Sequence, residues 1–385
     1  MVRDLKVGML GYAFMGRAHS NALNQIPKFF YPSPANPIKE VVCGRNEAAV
    51  RTMAQQFGWN HVETDWKAMI KSGIDVFDNC GPNDMHYEPN IAAAEAGIHM
   101  ISEKPLARNL KEAKEMAEAA RKSGVVNMVA YNYRRVPAVQ LAKKLIEEGY
   151  IGKVYHWRAV YLQDWIMDPN FPLVWRLQGD VAGSGPHGDL NAHIIDLARF
   201  LIGEITTVVG MEETFIKERP LLPKGTQGEL GAQKATTKEM GKVTVDDAVL
   251  FLARFECGAL GSFEATRFAN GRRNHNSFEI NGSKGSIVFD LERMNELQFY
   301  SSEDPTFAQG FRTILATEGI HPYMDKWWPP GHIIGWEHTF THELYDFIKA
   351  IADGGKVMPD FADGVKTQAV LEAVKKNIQT KTSEK

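Results

Sequence analysis

A short apolar run, Leu5 to Leu10, leads straight into Gly11-Tyr12-Ala13-Phe14-Met15-Gly16 and then into a helix-like stretch, Arg17 to Gln25. No other feature of the chain restricts its fold as tightly. A run of that length suits a strand buried on both faces of a parallel sheet. Gly11 allows the tight turn after it, and Gly16 lets the next helix pack closely. Strand, glycine turn and helix in this order form the fingerprint of a dinucleotide whose pyrophosphate rests on a helix N-terminus. Ala13 replaces the middle glycine, where the backbone must come nearest the pyrophosphate, so one methyl group intrudes there.

The next hundred residues supply the context the fingerprint needs. Glu40 to Cys43 reads as a second strand, followed by an Ala- and Gln-rich helix to Phe57. Asp75 to Cys80 reads as a strand ended by the turn Gly81-Pro82-Asn83, and Ile91 to Gly97 as a helix. His99 to Ser102, Leu110 to Ser123 and Val125 to Ala130 continue as strand, helix and strand. Alternation at this spacing predicts a doubly wound parallel α/β sheet with right-handed crossovers over residues 1–130. Gly44, Arg45 and Asn46 follow the second strand, where NAD enzymes usually place a carboxylate for the adenosine ribose. Arg45 is suited instead to stack on adenine or pair a 2′-phosphate. NAD is the expected cofactor, and Arg45 leaves NADP open.

From Lys153 the pattern changes to strands of period two: Val154–Tyr161, Thr206–Met211, Asp247–Phe255, Gly258–Glu264, Asn276–Asn281, Gly285–Phe289 and Glu296–Tyr300. Residues 131–385 are therefore expected to form an α/β domain on a large, mainly antiparallel open sheet. Cys257-Gly258 and Asn281-Gly282 read as turns between strands. Lys217 to Val243 reads as an exposed excursion, and the helical stretches Thr341–Asp353 and Asp363–Ile378 as returning to the first domain. A chain of 385 residues is long enough for two cores. A net charge of −3 points to neither nucleic acid nor a membrane surface. Cys43, Cys80 and Cys257 are scattered and odd in number, so no disulfide framework or metal centre is expected. The N-terminus runs directly into a strand with no secretory h-region, and no run of about 18 apolar residues occurs. A cytoplasmic protein is expected.

Two places carry chemistry. Lys104 ends a parallel strand, where open α/β sheets bind ligands, and Pro105 disfavours helix at Lys104. Further on, Gly183-Ser184-Gly185-Pro186-His187-Gly188 makes an irregular loop ahead of Asp189-Leu190-Asn191-Ala192-His193. On a helix Asp189 and His193 share a face, which reads equally as an acid–base pair or as a capped helix start with a half-buried histidine.

Several motifs together extend this reading: Gly11-x-Ala13-x-x-Gly16-x-x-His19, Pro82-Asn83-x-x-His86, Glu103-Lys104-Pro105-Leu106 and Asp189-x-x-x-His193-x-x-Asp196. They resemble the Gfo/Idh/MocA family, the glucose–fructose oxidoreductase and inositol dehydrogenase group. Tyr131-Asn132-Tyr133-Arg134-Arg135, Tyr161-Leu162-Gln163-Asp164-Trp165 and Trp175-Arg176 resemble its levoglucosan dehydrogenase branch. The resemblance covers nearly the whole chain.

It implies an NAD(P)-dependent dehydrogenase oxidising a secondary hydroxyl, at C3, of a sugar, anhydrosugar or glycoside. His193 would take the hydroxyl proton and Lys104 would hold the developing alkoxide. Asp189, Tyr133, Gln163, Trp165 and Arg176 are the implied sugar contacts. His187 and Asn191 depart from the expected residue types, which makes them candidate specificity residues. Cofactor contacts are implied for Gly11, Ala13, Phe14, Met15, Gly16 and Arg45, then for Gly81, Pro82, Asn83, His86, Glu103 and Lys104, with Trp175 and Arg176 from the second domain. His19 is read as structural, and Cys80 as lying under the nicotinamide with nothing to activate it. A homo-oligomer (dimer, tetramer or hexamer) would form through the open sheet face. An inositol dehydrogenase or a redox-neutral sugar exchange with retained cofactor are alternatives. A non-catalytic sensor of the same fold is the third, and the presence of both Lys104 and His193 weighs against it.

Overall fold

A computed structural model describes residues 2–222 and 238–381. The opening apolar run becomes β1 (Asp4–Leu10), the central strand of a six-stranded parallel sheet. With β2 (Asn36–Cys43), β3 (His61–Glu63), β4 (Val76–Asn79), β5 (His99–Glu103) and β6 (Asn127–Ala130) it runs in the order β3-β2-β1-β4-β5-β6. Strand order reverses between β1 and β4, which puts the ligand-binding crevice at their C-terminal ends. Leu5, Val7 and Met9 pack with Ala22, Leu23 and Ile26 of the helix Phe14–Phe29 and with Phe340, Leu344 and Phe347 of the helix Glu337–Asp353. Side chains of Asn46, Asp65 and Asn109 cap helices here, and Gly58 and Gly124 end two of them in the left-handed conformation. β3 and the five-residue helix Trp66–Ile70 escaped the sequence reading because elements so short show no period.

The second sheet has eight strands. They are β7 (Val154–Leu162), β8 (Ile205–Glu213), β11 (Ala248–Phe255), β12 (Leu260–Thr266), β13 (His275–Gly282), β14 (Gly285–Asp290), β15 (Glu296–Ser301) and β16 (Arg312–Leu315). A separate two-stranded ribbon pairs β9 (Glu218–Pro220) with β10 (Met240–Lys242). The order is β16-β15-β14-β13-β7-β12-β11-β8, antiparallel throughout except that β7 and β12 run parallel. Alternation works as expected on β11, where Phe251 points inward and Leu250 and Leu252 face out. Trp157 is fully buried and stacks on Phe278 at 5.0 Å, a core residue. The helices Pro137–Glu147 and Ala192–Leu201 belong to this unit, and the first of them was not anticipated.

Two turn and loop expectations change. The β13–β14 turn falls at Ser283-Lys284, not Asn281-Gly282. Gly282 is needed for close approach instead, since a Cβ there would lie 2.1 Å from the Ile151 carbonyl oxygen. The ends of the expected excursion 217–243 are built into the structure as β9 and β10. Fully buried Arg219 donates to the carbonyls of Ile166 (2.6 Å) and Asp168 (2.9 Å), beside a cluster of Phe171, Leu173, Leu177, Val243 and Val245. Residues 223–237 of that stretch lie outside the described residues.

The chain divides into two compact units. One holds the residues up to Asn132 together with Gly335–Gln368, and the other Tyr133–Ile334 with the residues from Ala369 on. The chain passes between the units three times, the last within the helix Phe361–Lys381. No helix among the described residues is long and apolar enough to cross a membrane.

Candidate active site

In the first unit, β1 delivers the chain into Gly11, whose φ of +102° only glycine adopts readily and whose Cβ would sit 2.4 Å from the Cys80 carbonyl oxygen. A Cβ on Gly16 would lie 2.1 Å from the Gly11 carbonyl oxygen, so the helix Phe14–Phe29 can begin this close to the turn only without one. Ala13 stands at the N-cap with no side-chain cap, and the first turn holds no acidic residue. The helix therefore keeps unsatisfied N–H donors and its positive dipole end for an anion, as a pyrophosphate requires. Phe14 stacks on Trp336 at 5.3 Å. Arg45 is exposed, while Asn46 is engaged in capping its own helix through Ala49 N–H. Acidic groups come near the end of β2 from Glu63 on β3 and Asp65 just beyond it. Burial first, and then the charges of Glu63 and Asp65, push the Cys43 thiol up to about 12. These residues fit a dinucleotide.

Lys104 follows β5, and its loop is anchored on one side by His86. That fully buried ring contacts the Pro105 carbonyl through Nδ1 (2.9 Å) and the Gly81 carbonyl through Nε2 (3.1 Å). Burial lowers its pKa, against the pull of those carbonyls. Gly81 N–H donates to Asn79 Oδ1 at 3.2 Å, and Asn83 opens a short 3-10 turn after Pro82. On the other side Glu103 accepts the Lys104 backbone N–H at 3.1 Å. His19, read as structural from sequence, contacts this same Glu103 at 3.3 Å.

In the second unit the glycine loop enters a π-helical turn, His187–Asn191, before the helix Ala192–Leu201. The wider turn breaks the simple i, i+4 geometry expected for Asp189 and His193, as such turns often do at functional sites. Asp189 pairs instead with Arg267, whose Nη2 donates to Oδ2 at 2.7 Å. The guanidinium is 1% exposed and stands 5.1 Å from the Trp165 ring. Asp196, one turn past His193, binds Arg134 through two hydrogen bonds of 2.8 and 2.5 Å, all buried. This pair fixes the neighbouring residues too, so that the Tyr133 ring lies 4.5 Å from the His193 ring.

From Tyr133 a polar chain runs outward. Its hydroxyl bonds to that of Tyr161 (2.9 Å), Tyr161 donates to Asn274 Oδ1 (2.9 Å), Gln163 donates to the same oxygen (2.8 Å), and Trp165 Nε1 donates to Gln163 Oε1 (2.8 Å). Burial, more than its Tyr133 partner, raises the Tyr161 phenol well above its ordinary pKa. Tyr161, Asn274 and Arg267 were missed as site residues. Arg267 and Asn274 carry no local sequence signal, because their partners lie 78 to 113 residues away. Trp175 and Arg176 stack on each other at 4.3 Å and are half-buried.

His187 and Asn191 correct the sequence reading. The His187 ring is buried, with Nε2 on the Leu371 carbonyl (2.8 Å) and Nδ1 on Asn191 (3.1 Å), and its backbone N–H donates to Asp246. Asn191 is wholly buried. Both side chains are turned inward around the π turn, with Asn191 Oδ1 left without a hydrogen-bond partner among the described residues.

Family models match both units: the oxidoreductase family with NAD-binding Rossmann fold over residues 5–131, and the GFO/IDH/MocA C-terminal domain over residues 139–288. The chain belongs to the Gfo/Idh/MocA oxidoreductase family. Within that family it is 47% identical to levoglucosan dehydrogenase of Pseudarthrobacter phenanthrenivorans over 97% of this chain and 96% of that one. The crystal structure of an oxidoreductase domain protein from Kribbella flavida is 50% identical with a TM-score of 0.92, covering 99% and 98% of the two chains. A levoglucosan dehydrogenase solved with NADH and levoglucosan is 46% identical with a TM-score of 0.92 over 98% of each chain. The uncapped helix start after Gly11 lies within the residues matched to the NAD-binding Rossmann fold of this family.

Proposed function

We propose that this protein is an NAD-dependent dehydrogenase that oxidises a secondary hydroxyl of levoglucosan or a closely related sugar or glycoside to the ketone, at C3. The observation that carries this reading is the connected wall of Asp189–Arg267, Trp165, Gln163, Asn274, Tyr161 and Tyr133, which reaches His193 through the Tyr133 ring. A sugar presents dense hydroxyls and apolar C–H faces. Such a wall answers both, with a carboxylate, amides and phenols for the hydroxyls and an indole for a ring face. The sequence similarity to levoglucosan dehydrogenase supports the same substrate class.

His193 is the proton acceptor. An imidazole titrates near neutral pH, and Tyr133 with the Arg134–Asp196 pair holds its ring in one orientation. Lys104 holds the hydroxyl oxygen and stabilises the negative charge that grows on it. Asp189, held by Arg267, accepts from a neighbouring hydroxyl and sets which carbon is presented. NAD⁺, when bound, supplies the hydride acceptor. The exposed apolar outer face of the large sheet, with Val209, Met211, Leu250 and Leu252, supports assembly into an oligomer.

Purified protein given NAD⁺ and levoglucosan should form NADH and a 3-keto product, read by absorbance and by mass spectrometry. Lys104→Ala and His193→Ala should each lower turnover by about 10²–10⁴-fold while NAD⁺ still binds. Full turnover in both variants would sink the assignment of roles.

A further inference from the structure

Behind the Lys104 loop lies a buried set of charges that neither the dinucleotide turn nor the proton transfer uses. His19 sits on the helix Phe14–Phe29, three residues past Gly16, and is wholly buried. Its Nδ1 lies 3.0 Å from both carboxylate oxygens of Asp78, on β4, and its Nε2 lies 3.3 Å from Oε1 of Glu103, the last residue of β5. The other Glu103 oxygen accepts the backbone N–H of Lys104. Cys80 donates to Asp78 from the edge of the cluster, and the remaining ring neighbour is Phe340 at 5.5 Å.

A neutral imidazole would spend its one N–H on Asp78 and face Glu103 with a lone pair, whereas an imidazolium sets a positive charge beside both carboxylates, hydrogen-bonded to Asp78 and in ion-pair contact with Glu103 at 3.3 Å. Burial, the largest single influence, lowers the ring's pKa, yet Asp78 and Cys80 together outweigh it and hold the value well above the ordinary one. A histidine that only tied helix to sheet would need Asp78 alone. The second contact leads onward to the lysine.

We propose that His19 is a positioning residue: by holding the Glu103 carboxylate it fixes the backbone from which Lys104 projects. The proposal rests on the reading of Lys104 as the group that holds the reacting hydroxyl. Without the ring's charge beside it, the buried Glu103 carboxylate is free to turn, and with it the oxygen that accepts the Lys104 N–H. His86 still anchors Pro105, so the loop persists while Lys104 shifts, and misplacement on the order of 1 Å is enough to cost about 10²-fold in rate.

The test uses the full chain as His19→Gln, Glu103→Gln, Lys104→Ala and the paired variants. Turnover of levoglucosan, NAD⁺ affinity by fluorescence, and the rate at which acetic anhydride acylates Lys104 in cofactor-free protein, read by peptide mass spectrometry, are measured for each. His19→Gln is expected to lower kcat by roughly 10–100-fold and to change the Lys104 acylation rate several-fold, with NAD⁺ affinity little changed. Added to Lys104→Ala or to Glu103→Gln, it should cost almost nothing further, because residues acting as one unit are not additive. An equal loss from His19→Gln in the Lys104→Ala background, or unchanged acylation, overturns the proposal. Should His19→Gln not fold, Glu103→Gln leaves the His19–Asp78 pair intact and carries the same comparison with Lys104→Ala. Full turnover in Lys104→Ala alone would refute the catalytic reading of the lysine, whereas the acylation rates report on His19 whatever the substrate proves to be.

Discussion

Arg267 shows how much of the site depends on one side chain without a sequence signature. It is 1% exposed, it carries the charge that holds Asp189, and it stands against Trp165. Removing one partner of a buried pair leaves the other charge uncompensated. Asp189 keeps some contact with solvent, its side chain being 29% exposed, which softens that penalty. Arg267→Met should therefore destabilise the protein by about 2–3 kcal/mol, somewhat below the usual penalty for a broken buried pair. The same change should lower kcat/KM for the sugar by about 10²-fold through misplacement of Asp189. Urea unfolding and steady-state kinetics check both, and NAD⁺ affinity should stay the same because the first unit is untouched. His193 and Lys104 are different in kind. Their residue types and motif positions were enough to single them out, since few side chains can accept or steady a proton near neutral pH.

At the scale of elements, the π turn His187–Asn191 decides what the glycine loop is for. Read as an α-helix start, it gives His187 and Asn191 to the sugar. As a π turn, it turns them inward, and His187 ties the loop to the helix Phe361–Lys381 through the Leu371 carbonyl. Burial lowers the His187 pKa, so its neutral ring contributes stability above about pH 6.5, the unfolded value. That contribution is lost as the pH falls through the lower folded value. His187→Ala should lower stability by about 1–3 kcal/mol at pH 8, where a buried hydrogen bond and packing both vanish. The gap to the unaltered protein should narrow toward pH 5, as followed by urea titration at the two pH values. KM for the sugar should not change, and a large change in sugar preference would restore His187 as a specificity residue. Among strands and helices, several of the longer ones were foreseen within a few residues, as with Leu110–Ser123 and Glu296–Ser301, whereas the helix Pro137–Glu147 was not. The three-residue β3 was not, because its place is set by pairing with β2 and not by any pattern of its own.

For the whole molecule, the outer face of the eight-stranded sheet is the open question that the fold itself poses. Leu250 and Leu252 on β11 stand beside Val209 and Met211 on β8, all exposed and apolar. A contiguous apolar face of this kind is expensive to leave in water and marks an interaction surface. Leu252→Glu places a charge in its middle. If the sheet face joins subunits, sedimentation of this variant should report a mass near the 43.1 kDa of one chain, below that of the unaltered protein. Retained activity of the dissociated form would show that each chain holds a complete site. An unchanged mass would mean that this face does not join subunits.

The sequence by itself determined the nucleotide fold and the mainly antiparallel second sheet, and it supplied Lys104 and His193 as the candidate proton-handling residues. Those are consequences of periodicity, of glycine where no side chain fits, and of residue types that few positions tolerate. Tertiary structure alone decided the partnerships. Asp189 belongs to Arg267, His193 stands against Tyr133, His187 and Asn191 face the interior, and His19 reaches Glu103. Each of these joins residues far apart in the chain, or depends on one extra residue in a helical turn, and local pattern carries neither kind of information.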